Sequence, residues 1–235
     1  MKLYTMMANV QGEISKRLSF QVGINTSLRD ANGFFNTVNP SDYARKTSRA
    51  SSADSPYVKD YSATITAHVP DFGTQLLHYS ILNELTATGN TNSTQNFQGT
   101  VSLSYKILPG LTYQGLFSGS MSSNRAFQFA SASSYFAALK RGYDIDVPVT
   151  SAIQEISYLP FGGVAYPANT NIISYTDRNT LGYNKSLFGN RDQLSVTIIQ
   201  ELSSTKTKGN SSVELGYFPD RGESYFSSYY EAHYK

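Results

Sequence analysis

From Phe97 to Ile107 the residues alternate without a break. Phe97, Gly99, Val101, Leu103, Tyr105 and Ile107 fall on one side of an extended chain, and Gln98, Thr100, Ser102, Ser104 and Lys106 on the other. Successive strand side chains point to opposite faces, so the segment makes one oily and one wet face. A period of two is incompatible with an amphipathic helix. The wet face is mostly neutral Ser, Thr and Gln rather than Lys and Glu. That composition suits a strand with lipid on one side and a water-filled or plugged lumen on the other.

The pattern recurs as three hairpins. Leu3–Ile14 and Leu18–Arg29 flank Ser15-Lys16-Arg17. Folding about Lys16 sets Ile14 opposite Leu18 and Val10 opposite Val22, so both strands turn one oily face the same way. Gln95–Ile107 and Leu111–Met121 flank a Pro109-Gly110 turn, which sets Tyr105 opposite Tyr113. Tyr175–Phe188 and Gln193–Ser204 flank Gly189-Asn190-Arg191-Asp192. In that hairpin Arg178 and Glu201 share the wet face and are expected to pair. The oily set comprises Val10, Val22, Val101, Leu103, Tyr105, Tyr113, Phe117, Leu181, Tyr183, Val196 and Ile198, all expected to face lipid. Lys185 interrupts it and is expected to snorkel to an interface. These strands are roughly twice the usual length of about 5–6 residues.

The stretches between hairpins read as long loops. Residues 30–93, 122–174 and 205–235 are rich in Ser, Asn, Asp, Gly and Pro and lack sustained alternation. Short helices are expected at Pro40–Arg49 and Ser133–Lys140, and a last strand near Tyr225. Short turns alternating with long excursions match outer-membrane barrels, and Tyr105 with Tyr113 suits an aromatic belt beside the short turn. The fold class is therefore all-β: an antiparallel transmembrane β-barrel built of long hairpins. The competing architecture is a soluble β-sandwich or solenoid, whose strands also alternate.

Composition bounds the function. Charged residues are 15% of the chain and the net charge is +2, with no basic run, so nucleic acid is not an expected partner. Cys is absent, which removes disulfides and thiolate metal sites. No apolar run approaches the roughly 20 residues of a membrane helix. The start, Met1-Lys2-Leu3-Tyr4-Thr5, has no apolar core of a signal peptide, so an exported barrel would need its signal upstream.

Catalytic chemistry is sparse. His68, His78 and His233 have no metal-ligand spacing and read as ordinary loop residues. Asp144 and Asp146 alternate in a loop lacking the further acidic ligands of a calcium site. Gly162-Gly163 is a turn needing positive φ rather than a phosphate loop, and Asp220-Arg221-Gly222 a turn after Pro219. No catalytic residue, cofactor or metal is expected.

Several short motifs follow one another in order. They are Ile81-Leu82-Asn83-Glu84-Leu85, Val101–Tyr113, Lys140-Arg141-Gly142-Tyr143, Leu159-Pro160-Phe161-Gly162-Gly163, Tyr175–Lys185 and Gly216-Tyr217-Phe218-Pro219-Asp220-Arg221-Gly222. In this order they resemble the barrel of the SusC/RagA family of TonB-linked outer-membrane transporters of Bacteroidota, over nearly all of residues 1–235. No plug or N-terminal domain is recognisable, and such barrels close with about 22 strands, so the resemblance is to a slice of barrel wall. It implies outer-membrane localisation in a Gram-negative, Bacteroidota-like cell. It also implies import of an oligosaccharide or peptide, a SusD-like surface lipoprotein over the long loops, and a TonB complex acting through parts absent here. Among the loop aromatics, Tyr135, Phe136, Tyr143, Phe161 and Tyr166 are the candidates to touch substrate, against the plainer reading that they pack the loops together. The alternative function is a soluble or surface-anchored β-sheet glycan-binding protein.

Overall fold

The computed structural model describes residues 1–33, 35, 62–187 and 192–221. Nine strands account for most of them: β1 (Lys2–Ser15), β2 (Leu18–Gly33), β3 (Ser62–Val69), β4 (Gly73–Ser80), β5 (Thr88–Leu108), β6 (Leu111–Ala130), β7 (Gly163–Leu187), β8 (Asp192–Ser211) and β9 (Glu214–Tyr217). Three short helices join them: α1 (Ile81–Ala87), α2 (Tyr135–Arg141) and α3 (Ser151–Ile156). The protein is all-β and mainly antiparallel. One sheet runs β1-β2-β5-β6-β7-β8, with β9 pairing to β7, and β3-β4 form a separate hairpin.

The chain divides into two compact units. The first comprises Met1–Asp30, Ser93–Arg125 and Asn169–Asn210. It contains the three hairpin cores read from the sequence. Val10 faces Val22 as the alternation requires, but Ile14 does not face Leu18. The register slips between Glu13 and Ser15, Ser15 pairs with Leu18, and Ile14 is left as a bulge. The cause is local: the Ser15 hydroxyl accepts the backbone N–H groups of Arg17 and Leu18 at 3.3 and 3.1 Å. That closes a two-residue turn one position tighter than a loop centred on Lys16.

The β5–β6 hairpin folds about Pro109. Thr100 and Ser118 hydroxyls lie 3.4 Å apart, and Ser122 Oγ donates to Asn96 Oδ1 at 2.7 Å; both pairs are equidistant from Pro109. In β7–β8, Arg178 Nε donates to Glu201 at 2.6 Å, as expected. Four residues on, the Ser174 and Thr205 hydroxyls meet at 3.1 Å, so one register holds along the pair. Backbone bonds from Lys106 N–H to the Arg17 carbonyl and from Asn184 N–H to the Gly110 carbonyl, both 2.8 Å, bring the two described short turns to one end of this unit.

Every residue buried among those described belongs to the second unit, Ala31–Asn92, Ala126–Ala168 and Ser211–Lys235. Its core groups Val69, Leu77 and Ala138, and Ala137, Leu159 and Val164. The sequence reading of long loops is corrected here. Residues 62–80 form the β3–β4 hairpin, β5 begins at Thr88, β6 runs to Ala130, β7 starts at Gly163 and β8 continues to Ser211. The helix expected at Ser133–Lys140 is α2, with the Ser134 hydroxyl capping Ala137 N–H at 3.1 Å and Gly142 closing it at φ 97°. Pro40–Arg49, His233 and the strand near Tyr225 lie outside the described residues.

The ends of the main sheet, β1 and β8, have no further strand among the described residues, and their residues are exposed almost throughout. Open edges recruit other strands. The chain alone in aqueous buffer is therefore expected to self-associate in sedimentation velocity. A single monomeric boundary would contradict this.

Candidate functional site

Two of the motifs that carried the resemblance, Val101–Tyr113 and Tyr175–Lys185, are strands of the first unit; the other four lie in the second unit, where they act chiefly as packing. Glu84, on α1, is 1% exposed. Its Oε1 accepts Tyr135 N–H at 2.7 Å and the Asn83 amide at 3.3 Å, tying α1 to the start of α2. Burial raises its carboxyl above the ordinary range, opposed by the hydrogen bonds from Tyr135 and Asn83. A raised folded-state value means this group supports folding below the ordinary carboxyl range and loses that support as pH rises through the raised value. Gln keeps the accepting oxygen but cannot ionise. Denaturation midpoints measured across pH 4 to 8 (roughly that window) are thus expected to fall less for Glu84→Gln than for the parent. Identical pH profiles would refute this.

Arg141, the last residue of α2, is 3% exposed. It donates from Nη2 to the Ala132 carbonyl at 2.7 Å and the Gly162 carbonyl at 3.3 Å, while the Ser157 hydroxyl donates to its own carbonyl at 2.7 Å. Burial lowers its pKa, opposed by Tyr143 and Asp144. One side chain thereby joins the three segments around the Arg141 and Gly162 motifs. Gly162 takes φ 69°, and a Cβ there would stand 2.7 Å from the Gly216 backbone, so the two glycine motifs pack backbone to backbone. Only Gly162 of the Gly162-Gly163 pair has positive φ. Pro219–Arg221 is a single 3-10 turn, as its Pro-Asp sequence suggests.

The aromatic candidates separate into two groups. Tyr135 sits on α2, edge-on to Tyr79 at 5.3 Å. Phe136 packs on Phe35 at 4.7 Å and Tyr166 at 6.3 Å. Tyr166 belongs to strand β7, not to a loop. These three rings pack the unit together. Tyr143 and Phe161 instead share the lining of a cavity of about 400 Å³ with Arg141 and Phe218. His68 and His78 are strand residues on β3 and β4 rather than loop residues. Asp144 accepts His78 N–H at 3.0 and 3.3 Å through its two oxygens, an ordinary structural role. Among the described residues no cluster of His, Asp or Glu is arranged to hold a metal.

The expected lipid-facing residues all lie on strands of the first unit. Val10, Val101, Leu103, Tyr105, Tyr113, Phe117, Val196 and Ile198 are exposed; Val22, Leu181 and Tyr183 are half-buried. Sequence reasoning missed a polar cluster on this face. The Tyr113 hydroxyl donates to Asn179 Oδ1, and Asn179 Nδ2 donates to Asp177 at 3.0 Å. Asp177 and Asn179 fall in phase with Leu181 and Tyr183, so the alternation itself carried the signal.

Among the described residues no helix is long and apolar enough to cross a membrane, which does not bear on crossing by strands. No protein-family model matches the chain, and no curated protein is significantly similar to it.

Proposed function

We propose that this chain is a section of outer-membrane barrel wall in a TonB-linked nutrient importer of the SusC/RagA type, moving an oligosaccharide or peptide. One observation carries the reading. The first unit is a broad sheet of long strands with no buried residue among those described, yet one face is rich in exposed large apolar side chains such as Val10, Val101, Leu103, Phe117, Val196 and Ile198. Exposed apolar area on that scale needs a covering phase, and lipid supplies one without a second layer of protein. The opposite face is mostly Ser, Thr, Gln and Asn, with the paired Arg178 and Glu201, and suits an aqueous lumen. On this reading a SusD-like surface lipoprotein is the expected partner.

Single-tryptophan variants test the facing, because the chain has no Trp. In vesicles containing brominated acyl chains, Leu103→Trp fluorescence is expected to be quenched and Ser104→Trp fluorescence to persist. Equal quenching sinks the membrane assignment. The second reading, a soluble or surface-anchored glycan-binding β protein, is favoured by one observation: Asp177 and Asn179 on the oily face, where hydrocarbon would penalise them.

A further inference from the structure

Helix α2 packs against the β3–β4 hairpin, and beside their contact lies a cavity of about 510 Å³. Val69, Pro70 and Leu139 form an apolar wall. Phe136 and Tyr158 line it too, with the Lys140 ammonium 5.7 and 5.5 Å from their ring centres. The remaining polar groups are His68 and Asp71. Asp71 holds φ 65°, the only non-glycine residue among those described with a left-handed backbone. It sits in the turn between β3 and β4, a conformation Asp adopts readily, and the turn fixes its carboxylate at the rim of the cavity. A cavity of this size, mainly apolar with a few polar groups of opposite charge, has the make-up of a small-ligand site.

We propose that this cavity binds a short peptide or free amino acid with an apolar side chain. The ligand carboxylate pairs with Lys140, its ammonium with Asp71, and its side chain packs on Val69, Pro70 and Leu139. A sugar fits less well. Sugar rings need open aromatic faces and several planar polar side chains for their hydroxyls. Here Lys140 already sits over both rings, and Phe136 is further engaged by Phe35 and Tyr166. The inference deepens the import reading by choosing peptide over oligosaccharide, and rests on that reading for its physiological meaning.

Calorimetric titration of the full refolded chain with the dipeptide Leu-Leu tests it. Saturable binding is expected, weakened roughly tenfold or more in Lys140→Gln and in Asp71→Asn, since each removes one charge-assisted contact. Asn tolerates the left-handed backbone, so Asp71→Asn preserves the turn. N-acetyl-Leu-Leu-amide, lacking both end charges, is expected to bind at least as weakly as either variant, and maltotriose not to compete. Absence of Leu-Leu binding, wild-type affinity in both variants, or displacement by maltotriose overturns the proposal. Leu-Leu binding without the tryptophan facing contrast would remove the importer and keep the site; the contrast without binding would do the reverse.

Discussion

A Gly163→Val variant is expected to lose about 3 kcal/mol of stability, at the upper end of the usual cost of overpacking. Gly163 opens β7 and lies against the end of β6. A Cβ there would overlap the Ala130 carbonyl oxygen and stand 2.8 Å from the Ser131 backbone. Neither obstacle is a side chain that can rotate away, so the backbone itself must move. The adjoining Gly162 is already held close against Gly216, leaving little room on the other side. Gly119, in β6, has open space where a Cβ would go. Gly119→Ala is therefore expected to be neutral or slightly stabilising, as Ala loses less backbone entropy on folding than Gly. Urea denaturation of both variants beside the parent checks the contrast. A Gly163→Val midpoint at the parent value would refute the steric account.

The other large effect concerns Val101. It lies four residues from Tyr105 along β5, about 13 Å at strand rise, near the middle of a barrel's apolar band of about 25 Å. On the proposed barrel reading, Val101→Arg in a bilayer is expected to cost about 2–4 kcal/mol, with Ser102→Arg, on the opposite face, much better tolerated. Guanidinium unfolding in phosphocholine vesicles measures both. Equal or greater damage from Ser102→Arg would reverse the assignment of faces.

Alternation made the centres of the hairpins legible, because a one-residue slip would invert every side chain. Val10 against Val22 and Arg178 beside Glu201 follow directly from it. The bulge at Ile14 does not. It depends on the Ser15 hydroxyl capturing two backbone N–H groups, a competition that hydrophobic pattern cannot register. Strand ends failed for another reason. Residues 88–93 are Thr, Gly, Asn and Ser on both faces, so they carry no periodic signal and resemble a loop. They extend because neighbouring strands supply backbone partners, helped by side-chain bonds such as Ser93 Oγ to Asp30 Oδ1 at 2.7 Å. At the candidate site, the Glu84 and Arg141 motifs were visible as sequence but not as structure. Their role depends on contacts over long separations, Glu84 to Tyr135 and Arg141 to Gly162. The cavity beside Lys140 gave no sequence signal, since its lining comes from β3, the turn after it, α2 and the segment after α3.

The bulge at Ile14 has a consequence for how such sheets would polymerise. A bulge bends and twists its strand, so β1 offers an incoming strand a straight template only before Ile14. β8 keeps one register with β7 from Glu201 opposite Arg178 to Thr205 opposite Ser174, and carries no comparable irregularity over that stretch. The two termini of the sheet are therefore unequal as growth points. Pairing of β8 with β8 of a second copy meets no bulge, whereas any junction through β1, and so every head-to-tail junction of a filament, must accommodate one; association is thereby steered toward closed pairs.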